Sequence, residues 1–361
     1  MKATSVRQRV GRFCLTTFFY FSGQLIVHPA NQIIAWGQNA GFGELSVPSG
    51  LTNVVAIAAG LRHNMALKND GSVIVWGAAH YGSYAIAPIK APEGLSNLTA
   101  IAAGEWHCLA LKDDGTVTAW GDNEAGEIQV PANLTNAVAI AAGYYHSLAL
   151  KTDGTVVCWG GQFASLTNVP SGLDDVVAIA AGGEHNVALK SNGTVVVWGD
   201  NSYGQTNVPA DLTNAVAIAA GIHYCLALKS DGRVVGWGHD VNFGEVTPPA
   251  DLTNVVAIAA GEQHRLALRS DGTLVAWGRG WGGTTVIPSG LTNVTAISAG
   301  AYHNLALKGE RETLHLAKKV PLSPATHKRM TLVYWSVLLL CLIGLGWLFL
   351  RWLKRRQGEV F

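Results

Sequence analysis

Six histidines occupy one recurring position: His63, His107, His146, His185, His264 and His303, with Tyr224 in the seventh copy. Imidazole is the commonest metal ligand and the side chain best suited to proton transfer near neutral pH, so its repetition invites a metal or acid–base reading. The spacing argues against one. Each histidine sits on its own copy of a repeat, whereas a metal shell needs its donors within ~2 Å of one point. The expected role is structural, a hydrogen bond that fixes the loop of each copy. Glu105, Glu184 and Glu262 stand just before three of these histidines. They are the obvious carboxylates for general acid–base work on a cell-wall or carbohydrate substrate. The sequence holds no Gly-x-x-x-x-Gly-Lys-Ser/Thr loop, no His-Glu-x-x-His and no nucleophile elbow. Neither an enzyme, a cofactor nor a bound metal is expected.

Aromatic residues carry a different chemistry. The two residues before the recurring histidine vary from copy to copy and include Trp106, Tyr144, Tyr145 and Tyr302. A second set, Phe42, Tyr81, Phe163, Tyr203, Phe243 and Trp281, follows a repeated Trp-Gly. Aromatic anchors gathered on one surface are what protein interfaces use. The candidate partner-binding residues are therefore Trp106, Tyr144, Tyr145, Tyr302, Tyr224, Trp281, Tyr203 and Phe243. The competing reading makes them turn residues packed under their own loops.

What must position these residues is a sevenfold repeat. Trp-Gly begins at Trp36, Trp76, Trp120, Trp159, Trp198, Trp237 and Trp277, spaced by 40, 44, 39, 39, 39 and 40 residues. Ala-Gly ends at Gly60, Gly104, Gly143, Gly182, Gly221, Gly261 and Gly300. Val55–Gly60 reads as an inner strand of small side chains, Asn64–Lys68 as a second strand, and Ser72–Trp76 as a third. Asp70-Gly71 and its copies read as two-residue hairpin turns. Val47-Pro48 and its copies suit a short outer strand. The longer unit carries Ile86–Gly94, which is expected to protrude. The chain opens on a Trp-Gly half, Ile33–Gly37, and ends on an Ala-Gly-x-x-His half, Gly300–Leu307. Paired, these halves make the seventh unit and remove the free strand edges of an open array. Glu312–Leu316 could be a competing strand.

These phrases resemble the repeats of the regulator of chromosome condensation family over about residues 31–308. The resemblance implies an all-β fold, a seven-bladed β-propeller closed by N- and C-terminal half-blades. The short repeat with Val-Pro before Leu-Thr-Asn is similar to bacterial members, among them a secreted propeller inhibitor of β-lactamases. In that inhibitor aromatics of the Gly-x-x-His loops make the contact, which implies such a role for Trp106, Tyr144, Tyr145 and Tyr302. The family's founder is a nucleotide-exchange factor that binds chromatin. The net charge of +1 carries no bias toward nucleic acid, and none is expected as a partner.

The two ends have another composition. Residues 1–30 start with Lys2, Arg7, Arg9 and Arg12, followed by the apolar run Phe13–Phe21. They read as a signal peptide or an uncleaved N-terminal anchor. Thr331–Leu350 is a run of 20 uncharged residues, which as a helix spans ~30 Å. Arg351, Lys354, Arg355 and Arg356 follow it and place the tail in the cytoplasm. The expected organisation is leader 1–30, propeller 31–316, linker 317–330, one C-terminal transmembrane helix 331–350 and basic tail 351–361. The topology is type I, with the propeller on the extracytoplasmic side of a bacterial envelope and an envelope or extracellular protein as its partner. A structural surface protein with a processed tail is the third reading. Cys14, Cys108, Cys158, Cys225 and Cys341 are odd in number and lack Cys-x-x-Cys spacing. They are expected to be small buried thiols.

Overall fold

A computed structural model describes residues 31–81, 85–239 and 246–309. The leader, Phe243, the Glu312–Leu316 strand, the linker, the membrane segment and the tail lie outside them. Among the described residues no helix is long and apolar enough to cross a membrane.

Among the described residues the repeats fold as seven antiparallel sheets. Blade one comprises Val54–Ala59, His63–Lys68 and Val73–Tyr81. The next four begin at the inner strands Leu98–Ala103, Ala137–Ala142, Val176–Ala181 and Ala215–Ala220. Blade six begins at Val255–Ala260. In blade seven Val294–Ala299 and His303–Lys308 are joined by the N-terminal strand Gln32–Gly37. Its register runs from Gln32 opposite Lys308 to Gly37 opposite His303. Blade seven then meets blade one: Ala301 N–H donates to Gly60 O at 3.2 Å, and Ala59 N–H to Ser298 Oγ at 3.0 Å. The ring closes as the half-blade order requires.

Packing follows the side-chain sizes. The inner strands are alanine-rich because blades converge there. Each Trp-Gly tryptophan is buried between its own blade and the preceding one. Trp120 packs with Met65 and Leu67, and Trp237 with Val187 and Leu189. Trp36 packs with Leu266 and Leu268, so the closing strand is fastened to blade six as well as to its own sheet.

The turns differ from a two-residue hairpin. Lys68 N–H bonds Ser72 O at 2.9 Å and Gly71 N–H bonds Lys68 O at 3.0 Å, which encloses three residues. Only the glycine takes positive φ, +77° at Gly71, while the Asp70 carboxylate accepts from Ser72 N–H at 3.0 Å. This is a type I turn ended by a left-handed glycine. Gly71 O then accepts from Leu98 N–H of the next blade at 3.1 Å, so each turn also clamps its neighbour. The Leu-Thr-Asn phrase has its own geometry. Asn53, Asn97, Asn136, Asn214, Asn254 and Asn293 all have φ between 56 and 59°, and Asp175 has 54°. Asparagine and aspartate tolerate the left-handed region best among residues with a side chain, which explains their recurrence before each inner strand.

Two further expectations are corrected. Val47-Pro48 is not a strand; Val47 N–H turns back to Leu45 O at 3.1 Å. Ile86–Gly94 does not simply protrude: Ala85–Pro88 forms a fourth strand on blade one, from Tyr81 opposite Ala85 to Ala78 opposite Pro88. Cys108 and Cys225 are buried thiols, and burial holds both well above the usual thiol range.

Candidate functional site

Five of the six recurring histidines tie blades together, whereas both ring nitrogens of His63, which faces a blade with Cys108 at the partner position, are buried without a hydrogen bond. His146 Nε2 meets Asn186 Oδ1 at 2.8 Å, His264 meets Asn304 at 2.7 Å, and His303 meets Asn64 at 2.6 Å. His107 meets Ser147 Oγ at 2.9 Å and His185 meets Cys225 Sγ at 3.2 Å. Each partner is the residue after the next blade's histidine position. It also donates onward: Asn64 to Glu44 O at 2.8 Å, Ser147 to Glu127 O at 2.9 Å, Asn186 to Leu166 O at 3.0 Å, Asn304 to Thr284 O at 2.9 Å. An acceptor that also donates fixes the polarity, so the imidazole gives its Nε2 proton. Tryptophan indoles reach the same carbonyls, Trp159 to Glu127 O at 2.9 Å and Trp198 to Leu166 O at 3.2 Å. The expected structural role stands, with the bond crossing to the next blade and anchoring the loop after Trp-Gly. Burial drives His63, His146 and His264 down to about 4, and His107, His185 and His303 to about 3. A small polar residue after four of the histidines, Asn64, Ser147, Asn186 and Asn304, was the available signal for this relay.

Tyr224 is a correction. It is 1% exposed, because it fills the histidine position of blade five. Its hydroxyl donates toward Gly261 O and His264 O, both at 2.9 Å. The relay position in blade six is Arg265, whose guanidinium lies 3.4 Å from the Tyr224 ring centroid. Tyrosine and arginine thus replace histidine and asparagine as a matched pair, and Tyr224 is not a surface anchor.

The other candidates lie on one face. The loops before the histidine and after Trp-Gly are hydrogen-bonded to each other, as in Gln38 N–H to Tyr302 O at 2.8 Å and Asp122 N–H to Trp106 O at 3.1 Å. Trp281 is 52% exposed and carries the Arg279 guanidinium 4.1 Å from its ring centroid. Tyr203 is 45% exposed and stands beside His223 and His239, with centroids at 4.3 and 4.4 Å. Trp106, Tyr144, Tyr145 and Tyr302 are half-buried. Tyr145 donates to Glu105 and Tyr302 to Glu262, and Tyr144 and Tyr145 meet edge-on at 6.3 Å. Phe163, from the second aromatic set, is exposed as well. Sequence reasoning passed over His223 and His239 because they stand at variable loop positions, apart from the recurring histidine.

Two carboxylates, Glu105 and Glu262, stand around the axis on this face, and Glu184 lies on the equivalent loop of blade four. Burial raises Glu105 to about 7 against its tyrosine bond, and the charge of Glu262 adds to the rise. Burial also raises Glu262 and Glu184. The axial channel that Glu105 and Glu262 border, walled by Ala-Gly elements, holds about 80 Å³. That is below the 300–1,000 Å³ of small-molecule sites. Among the described residues no cluster of three or more His, Cys, Asp or Glu could hold a metal ion.

The comparisons with known proteins agree with this architecture. The sequence pattern of the "Regulator of chromosome condensation (RCC1) repeat" family matches residues 54–83, 98–127, 137–163, 176–205 and 255–280. No curated protein sequence matches the chain. Among solved structures, Prp20p of Saccharomyces cerevisiae, described with its binding to Gsp1p and histones, superposes with a TM-score of 0.63 and 22% identity. That match covers 80% of this chain and 93% of Prp20p. Human WBSCR16 gives a TM-score of 0.60 at 18% identity, over 79% of this chain and 100% of that one. The ectodomain of the Arabidopsis thaliana receptor kinase ACR4 gives 0.55 at 22%, over 75% and 99%. At these identities the structural likeness speaks to fold. The repeat pattern goes further: five stretches of the chain match regulator of chromosome condensation (RCC1) repeats.

Proposed function

We propose that this chain is a non-enzymatic binding module that grips a partner protein with its aromatic loop face. The observation that carries the reading is the contrast between two faces. One presents short, near-identical Asp-Gly turns. The other presents Trp281, Tyr203 and Phe163 exposed, with Trp106, Tyr145 and Tyr302 half-buried behind them. Large aromatics held by a rigid relay lose little entropy on binding. Prp20p binds Gsp1p and histones, which supports a protein partner as the class. The partner here is an envelope or extracellular protein. Residues 331–350 tether the module to a membrane with the propeller on the extracytoplasmic side. That placement has a precedent of fold in the ectodomain of ACR4.

The test is affinity capture from native envelope extract with the full chain as bait. It runs beside a variant with Trp106, Tyr145, Tyr302 and Trp281 changed to alanine. Tyr144 is left intact because its hydroxyl is buried. A protein retained by the first and lost by the second supports the face; equal retention by both refutes it. Protease accessibility of the propeller in intact cells tests its side of the membrane.

The raised carboxylates favour a second reading, a glycan- or cell-wall-directed site at the axis with Glu105 as proton donor. The narrow channel confines such a substrate to the mouth. Glu105→Gln would then abolish turnover of a cell-wall polymer while leaving thermal stability unchanged.

A further inference from the structure

The junction where the ring closes contains a cavity of about 220 Å³ on the loop face, bordered by Gln38, Glu44, Leu61, Arg62, Trp281 and Tyr302. It joins the loop that follows the N-terminal strand, the loop after the Trp-Gly of blade six, and the loops before the histidines of blades one and seven. Its volume suits one protein side chain and falls short of a typical small-molecule site.

The polar groups in this cavity are unevenly matched. Glu44 commits its carboxylate to Ala40 N–H and to Phe42 N–H, the latter at 3.0 Å. Tyr302 gives its hydroxyl to Glu262. Arg62 forms no ion pair among the described residues, and its Nε is buried without a hydrogen-bond partner. Its guanidinium lies over the Phe42 ring, 4.4 Å from the centroid, which orients the charge and leaves it unneutralised. Arg279 on Trp281 adds a second positive charge at the rim. Burying an arginine donor without an acceptor costs stability, so its retention here is a feature that a ligand would explain.

The wall is held in place as tightly as the charge. Trp281 starts a one-turn helix, Trp281–Gly283, in which Gly282 has φ +59°. A Cβ on Gly282 would fall 2.3 Å from Gln38 Cβ. The turn that carries the indole is therefore seated against Gln38, just past the N-terminal strand, at a position only glycine can fill.

We propose that this cavity is the anchor pocket of the binding face and takes an acidic side chain of the partner protein. The carboxylate lies on Arg62 and the aliphatic stem lies between Trp281 and Tyr302. A guanidinium recognises a carboxylate through paired donors, and aromatic walls exclude water from the pair. This rests on the protein-binding reading and adds to it the charge of the residue that enters first.

The experiment uses the full chain labelled with fluorotryptophan, its Trp281 resonance assigned by loss in Trp281→Phe. N-acetylglutamate N-methylamide is titrated beside its glutamine and lysine counterparts. The glutamate probe is expected to shift the Trp281 resonance saturably and to bind about tenfold more tightly than the glutamine probe. Arg62→Gln is expected to bring the two probes level. Equal binding of glutamate and glutamine by the wild type, tighter binding of lysine, or no shift up to about 100 mM overturns the proposal. Capture with Arg62→Glu separates the two levels of the argument. If that variant keeps the partner which the four-alanine variant loses, the pocket is wrong and the face stands. Retention by both removes the face itself.

Discussion

Acidification is the sharpest perturbation of this propeller. Six imidazoles are buried and neutral, with folded pKa values of about 3 or 4 against 6.5 for a free ring. The unfolded chain binds protons at these sites as pH falls through 6.5; the folded chain does not. Their contribution is fully present above pH 6.5 and is lost as pH falls from there toward 4 and 3. Near pH 5.5 the unfolded state holds about five more histidine protons than the native state. Glu105 opposes this, since its raised pKa lets the folded state take a proton first. Glu127, Glu184 and Glu262 oppose it in the same direction. The net is an uptake of about three to four protons on unfolding, about 5 kcal/mol lost per pH unit. Against a typical total of 5–15 kcal/mol, the fold should fail within about one to three pH units below 6. Urea midpoints followed by tryptophan fluorescence between pH 4.5 and 7.5 measure the slope, and calorimetry in two buffers of different ionisation enthalpy counts the protons. A slope below about 1 kcal/mol per pH unit would refute the neutral-ring account, because that is less than one net proton.

Other outcomes follow from single contacts. Tyr224→His alone should destabilise by about 2–3 kcal/mol, since its new imidazole faces Arg265; adding Arg265→Asn should recover more than half of the loss, read in a double-mutant cycle by thermal unfolding. Gly60→Ala should cost about 2–4 kcal/mol by the same assay, because its Cβ would lie 2.4 Å from His63 Cε1 and 2.5 Å from Gly104 O of the next blade. Asn254→Val should cost about 1–2 kcal/mol and Asn254→Gly little, because φ there is +56°. Trp36→Ala should cost about 3–5 kcal/mol and expose blade six to limited proteolysis, since Trp36 packs on Leu266 and Leu268.

The ring was legible because each repeated residue answers to one local demand. Alanine marks the crowded inner strand, tryptophan the gap between blades, and the order of the half-repeats marks the closure. The histidine's structural role was legible too, though not its direction: an inter-blade bond depends on register between chains some 40 residues apart, as between His146 and Asn186. Turn detail was less accessible. Asp-Gly fits both a two-residue and a three-residue hairpin, and only the bond from Lys68 to Ser72 decides between them. Tyr224 misled because an aromatic residue in a variable copy looks like a surface anchor. Its burial follows from its place in the phrase, which it shares with the histidines. Arg62 drew no attention in the sequence. Its isolation is a fact about what surrounds it in space.

The closing strand has a mechanical consequence. Gln32–Gly37 is gripped along one edge, by His303–Lys308, whereas His303–Lys308 is gripped along both. Tension arriving through residue 309 must shear a doubly bonded strand along its length. Tension arriving through residue 31 can peel a strand away one bond at a time. A propeller hung from its C-terminal end therefore bears load where its weave is strongest, and the same propeller pulled from its N-terminal end opens like a seam.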